Sequence, residues 1–265
     1  NLLAEVFALY AVAVDGGDAL LPEVPPYKAY IDWLAGRNSA PAEEFWRQYL
    51  ADLSAPTPLP VDRLAEAEQG SGYAARERSL SSALSRQLEE RCRAERLTVN
   101  ALLRGAWALL LSRYGGTRDV LYGATVAGRP AELEGVEHMV GLFINTLPVR
   151  CRVEPQWHLA DWLRRIQAEQ AAMEDFAYSA LPDIQRWSGA PAGQALFESL
   201  LVFENYPTVE LADEGSGGLE IDRFEVFEQT TYPLALVAAP GEQLYVRLRF
   251  DGSRYKADFA ECLLD

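Results

Sequence analysis

The chain has 265 residues, with 24 Lys and Arg against 39 Asp and Glu and a formal charge of −15. That balance argues against a nucleic-acid binder, which needs clustered positive charge to track phosphates. Hydrophobic residues make up 49% and charged residues 24%, the usage of a folded chain of one large domain or two lobes rather than of a disordered one.

Residues 1–60 read as helices joined by proline-rich connectors. Leu2, Leu3, Val6, Leu9 and Tyr10 follow helical spacing until Gly16-Gly17 stops the run. The segment carries Glu5 and has neither a basic flank nor a small-residue cleavage pattern, so it reads as an amphipathic core helix, not a signal peptide. A short helix is expected over Tyr27–Leu34. A third begins near Pro41, puts Phe45, Trp46, Tyr49, Leu50 and Leu53 on one face, and ends before the prolines at 56 and 58. That proline cluster is the expected domain boundary.

Beyond it the pattern becomes mixed α/β. A strand or loop over Tyr73–Leu80 precedes a helix from Ser82 to Arg96 with Leu84, Leu88 and Cys92 in register. Thr98 then caps a helix ended by Gly115-Gly116, apolar on both faces and therefore expected to be buried on nearly all sides. Val120–Val126 reads as a strand and Gly128-Arg-Pro130 as a turn. Leu142–Val153 reads as a second strand whose proline suggests a bulge or an edge. A long amphipathic helix should cover Leu159–Phe176. Phe197–Glu204, Leu219–Glu228, Leu234–Ala238 and Leu244–Phe250 complete the β segments, the last two as a hairpin. Pro207–Gly218 is a polar, acidic loop, and a final helix starts near Tyr255.

Several chemistries lack their residues. Neither lysine, Lys28 or Lys256, follows a glycine, so there is no phosphate-binding loop, and Gly215-Ser-Gly-Gly218 lies in a polar loop instead of between a strand and a helix. No Cys-x-x-Cys or His-x-x-x-His spacing exists, which argues against a metal. Cys92, Cys151 and Cys262 are odd in number and far apart, the pattern of a reducing cytoplasm. The two histidines, His138 and His158, read as surface or capping residues. A Cys151/His158 thiol pair is disfavoured because Cys151 alternates with arginines as a half-buried strand position does. No apolar run is long enough to span a bilayer.

Four strings coincide with one family. Tyr27-Lys-Ala-Tyr-Ile-Asp-Trp33, the stretch Thr98–Arg129, Val140-Gly-Leu-Phe-Ile-Asn-Thr-Leu-Pro-Val-Arg150 and Leu201-Val-Phe-Glu-Asn-Tyr-Pro207 resemble, in order, motifs of the condensation domains of nonribosomal peptide synthetases. The resemblance implies a chloramphenicol acetyltransferase-like α/β lobe, a mixed sheet covered by helices. Residues 1–60 would be the helical tail of an N-terminal lobe plus linker, and 61–265 the C-terminal lobe. It further implies peptide-bond formation between thioesters on phosphopantetheine arms of donor and acceptor carrier domains, with no cofactor bound directly and no nucleic-acid or membrane partner.

The family's His-His-x-x-x-Asp-Gly motif is absent, and Asn1–Tyr10 resembles the helix that follows it. The expectation is therefore a fragment cut just downstream of the catalytic loop and a few turns short at its C-terminus, inactive alone, with no catalytic residue of its own. Lacking the N-terminal lobe, it is also expected to self-associate. Its candidates for lining the substrate tunnel or ordering its loops are Asn145, Thr146, Gly123, Gly128, Arg129, Glu204 and Asn205. Epimerisation and cyclisation domains share the fold, and a noncatalytic carrier-docking lobe is the reading from another class.

Overall fold

The computed structural model describes residues 2–18, 21–53, 56–59, 72–191, 193–204 and 230–265. The acidic loop 207–218, the strand expected over 219–228 and Asn205 lie outside them. The chain divides into two compact units, one of Asn1–Asn38, Arg129–Phe143 and Tyr206–Gln229, the other of the remainder.

In the smaller unit, helix α1 (Leu2–Asp15) is apolar around its circumference, and Leu2, Val6 and Val14 each keep more than half of their surface exposed. Gly16, at φ +78°, ends it. Helix α2 (Lys28–Ala35) carries Tyr30, which joins Val136, Met139 and Phe143 in a small core.

The larger unit contains helix α3 (Ala40–Tyr49), strand β1 (Tyr73–Ser79), helices α4 (Ser82–Ala94) and α5 (Val99–Gly115), and strands β2 (Asp119–Val126) and β3 (Asn145–Arg152). Helices α6 (Leu159–Glu174) and α7 (Leu181–Trp187), strands β4 (Ser199–Phe203), β5 (Leu234–Ala239) and β6 (Tyr245–Asp251), and helix α8 (Ala257–Leu264) follow. The six strands form one mixed sheet in the order β1-β6-β5-β4-β2-β3. β4 runs parallel to β2 and β5, and the other pairs are antiparallel.

Helix α5 behaves as its composition requires. The Thr98 hydroxyl accepts the Ala101 amide at 3.0 Å, Gly116 closes the helix at φ +66°, and residues from Ala101 to Leu111 are buried on several sides. Gly105 lets α6 approach: a Cβ there would stand 2.4 Å from a Leu163 methyl. In β6, Val246, Leu248 and Phe250 are buried while Arg247 and Arg249 take the other face, the alternation of a half-covered strand.

Helix α3 and the residue after it place Trp46 and Leu50 in the larger core. Two details differ from the sequence reading. In α4 the buried register is Ser85, Leu88 and Cys92, and Leu84 is 44% exposed. Ser85 sits inward because its hydroxyl accepts the Leu244 amide at 2.9 Å. Helix α7 was not foreseen; it spans two turns, too few to display a helical period.

Among the described strands, the proline of β3 marks an edge. At the register pair Leu121–Arg150, both outward amides are capped by side chains: Leu121 N–H donates to the Thr57 hydroxyl, and Arg150 N–H donates to the Tyr49 hydroxyl at 2.9 Å. Pro148 shares the parity of Arg150, so its missing N–H falls on the same outer side. The Arg150 guanidinium, 7% exposed, forms a two-pronged pair with Asp119 at 2.8 and 2.6 Å and donates to the carbonyls of Tyr49 and Ala51. Arg150→Met should destabilise the chain by on the order of 3 kcal/mol, because Asp119 and both carbonyls lose their donor. Urea unfolding checks this; an unchanged midpoint would show that the pair contributes nothing net.

Candidate functional site

Helix α2 presents Tyr27, just before its first residue, with Tyr30 and Trp33 at three-residue spacing. Gly141 and Phe143 pack against them. The Tyr27 hydroxyl donates to the Leu142 carbonyl at 2.5 Å, its ring meets Phe143 edge-on at 5.2 Å, and Tyr30 lies 4.6 Å from the same ring. A Cβ on Gly141 would stand 2.0 Å from Tyr27, so only glycine admits this approach. Two of the four strings singled out in the sequence are thus packed on each other.

Arg129 organises the same unit. Its guanidinium donates to the carbonyls of Val136 and Met139 and stacks over Phe143, 4.0 Å from the ring centroid. It thereby straps residues 130–142 into a closed loop, the work of a positioning group. Gly128 precedes it at φ +62°, a backbone region that favours glycine.

Asn145 opens β3. Its amide nitrogen donates to the carbonyls of Ala177 and Ser179 at 2.8 and 2.7 Å, and its oxygen accepts the Thr146 amide at 2.9 Å. The Ser179 hydroxyl in turn accepts the indole N–H of fully buried Trp46 at 3.0 Å. Both amide hydrogens of Asn145 are committed within the chain, so the geometry favours loop ordering over donation to a substrate. Thr146 faces Thr125 across the ladder. Gly123 is needed by Phe197, whose ring would lie 2.3 Å from a Cβ there. Glu204 follows the last residue of β4, with its amide donating to the Ala238 carbonyl at 2.8 Å.

Because β2 and β4 run parallel and β3 antiparallel to β2, Gly128, Asn145, Thr146 and Glu204 gather at one end of the sheet, beyond the carboxyl ends of β2 and β4. Gly123 lies further along β2, paired with Pro148. The sequence reading did not single out Trp46 or Ser179; both belong to hydrophobic or turn patterns that any core produces.

Cys151 is buried, its side chain within 3.9 Å of the Tyr122 hydroxyl, and burial pushes its thiol up to about 12. A thiolate nucleophile is therefore absent at neutral pH, in keeping with the strand reading. His158 sits exposed at the start of α6 and makes no capping bond. Among the described residues no cluster of metal-ligating side chains exists, and no helix is long and apolar enough to cross a membrane.

Compared with known proteins, residues 2–265 match the family model described as Condensation domain. The chain is 40% identical to one of the linear gramicidin synthase proteins of Brevibacillus parabrevis over 265 residues, 99% of this chain and 3% of that protein. Among solved structures it resembles the X-domain from teicoplanin biosynthesis, with TM-score 0.76, 20% identity, and coverage of 98% of this chain and 62% of that one. It also resembles the first condensation domain of the calcium-dependent antibiotic synthetase, with TM-score 0.73, 18% identity, and coverage of 99% and 57%. The chain spans 3–5% of the length of the three linear gramicidin synthase proteins it matches.

Asn145→Ala should cost about 1–3 kcal/mol, since two part-buried carbonyls lose their donors. Asn145→Asp should not rescue it, because a carboxylate supplies no hydrogens. Denaturation together with amide exchange over residues 176–180 checks both; wild-type stability in either variant would contradict the assignment.

Proposed function

This chain belongs to the condensation-domain family, and we propose that it forms the C-terminal lobe, with the helical tail of the N-terminal lobe, of a domain that joins carrier-bound aminoacyl and peptidyl thioesters. The observation that carries the reading is the packing of motif on motif: the Tyr27–Trp33 segment on Gly141 and Phe143, followed directly by Asn145 at the end of the sheet where the other candidates gather.

In the proposed reaction the amine of the acceptor attacks the thioester carbonyl of the donor. A C–N bond forms, the C–S bond breaks, and the amine's surplus proton ends on the released thiol. The exchange is downhill, so holding the two phosphopantetheine arms in line supplies much of the rate. This chain's share is scaffolding. Arg129 straps one loop, Asn145 and Ser179 fix another, and Gly123 and Gly128 let the backbone close up. No group is bound directly to it; the partners proposed are the donor and acceptor carrier domains and an N-terminal lobe carrying the paired histidines. A cytoplasmic setting suits partners that are themselves thiol-dependent.

The chain alone should be inert. Incubated with a loaded donor carrier and a loaded acceptor carrier, it should give no condensation product above a no-protein control. Product that survives repurification would overturn the division of labour.

The exposed apolar surface of α1 fits an N-terminal lobe of the same domain, and without that lobe a second copy should cover it. Exposed apolar faces of this size associate, and a charge of −15 opposes the approach until salt screens it. Light scattering should show the mean mass rising with protein concentration and with salt. A monomer persisting under all these conditions would mean that α1 finds cover within its own chain.

A further inference from the structure

At the end of the sheet opposite Asn145, a pocket of about 420 Å³ opens between the C-terminal end of α5, the residue preceding β2 and the loop after β3. The eight residues of β3 separate the two ends by about 25 Å at ~3.3 Å per residue. The pocket is therefore distinct from the gathering of candidate residues, and its occupancy stands or falls independently of the condensation reading.

Its walls are apolar, formed by Leu109, Val153, Pro155 and Trp162. On its rim, Trp157 is 37% and Leu159 59% exposed, with the Arg165 guanidinium 5.1 Å from the indole centroid. Arg113 and Arg118 also line it, both exposed and neither in an ion pair with a described residue.

The neighbouring arginines behave differently. A second pocket of about 300 Å³ shares Trp157 and Trp162, and its arginines are engaged: Arg150 and Arg152 with Asp119, and Arg165 with Glu169. Arg113 and Arg118 are thus the two guanidiniums lining this pocket that have no carboxylate partner among the described residues. The one acid among the lining residues, Glu154, accepts a hydrogen bond from Gln156 at 3.3 Å. Balancing the carbonyl end of α5 accounts for Arg113, which lies in its last turn. It does not account for Arg118. The Ser112 and Thr117 hydroxyls add polar groups on the same wall.

We propose that this pocket binds a small amphipathic anion: an apolar or aromatic body seated against Trp157 and Trp162, with a carboxylate or phosphate held by Arg113 and Arg118. The volume lies within the range of sites for small organic ligands, about 300–1,000 Å³. Guanidinium is suited to either head group, because its planar fork matches the oxygens of both.

Calorimetric titration of the 265-residue chain with 3-phenylpropionate and with phenyl phosphate tests the proposal, and the pair of probes separates the two head groups. At least one should bind saturably at one site below about 10 mM, and the neutral 3-phenylpropanol should bind at least about tenfold more weakly. The double variant Arg113→Gln/Arg118→Gln, in exposed positions, should keep the wild-type melting temperature and lose about tenfold in affinity. Trp157→Ala should weaken the aryl probes while leaving inorganic phosphate unaffected. Saturable binding by neither acid, equal binding of the alcohol, equal binding of inorganic phosphate and phenyl phosphate, or undiminished affinity in the double variant would each overturn it.

Discussion

An edge strand leaves half of its amides and carbonyls facing away from the sheet, where only water or side chains satisfy them. β3 is such a strand, and the structure holds it from its outer side. Tyr49 places one hydroxyl against both the amide and the carbonyl of Arg150, while the Arg150 side chain turns back to grip Asp119 on β2 and two carbonyls at the end of α3. At the strand's opposite end Asn145 ties the backbone to the turn before α7. The register of β3 depends on these side-chain clamps as well as on its single ladder.

That arrangement explains why the candidate site is built almost wholly of groups that order backbone. Arg129 spends its guanidinium on two carbonyls and an aromatic face, Asn145 spends its whole amide, and Gly123 and Gly141 are filled by neighbouring rings. Such groups fix the ends of strands and loops through charge-assisted and amide hydrogen bonds to backbone. The buried Cys151 fits the same picture. With its thiol pushed up to about 12 by burial, it packs in the core beside the Tyr122 hydroxyl.

Much of the fold was legible because its signals are local. Thr98 and Gly116 bracket α5, the alternation through β6 sorts Val246 from Arg247, and Pro148 announces an edge. Two things were not legible. Leu84 is the more hydrophobic choice for the inner face of α4, yet Ser85 takes it because an amide of Leu244, remote in sequence, needs an acceptor. Helix α7 is too short to display a period. The site residues were legible as a motif and not as a mechanism, since nothing in Asn145 or Arg129 as letters says that their hydrogen bonds end on backbone carbonyls.

Native-state hydrogen exchange across residues 145–152 tests the central claim most directly. If side-chain clamps hold the edge, the Arg150 amide, bonded only to the Tyr49 hydroxyl, should exchange as slowly as the ladder amides of β2, through global unfolding. Exchange of Arg150 by local opening, orders of magnitude faster than its β2 neighbours, would contradict the account and leave β3 an ordinary edge held by its ladder alone.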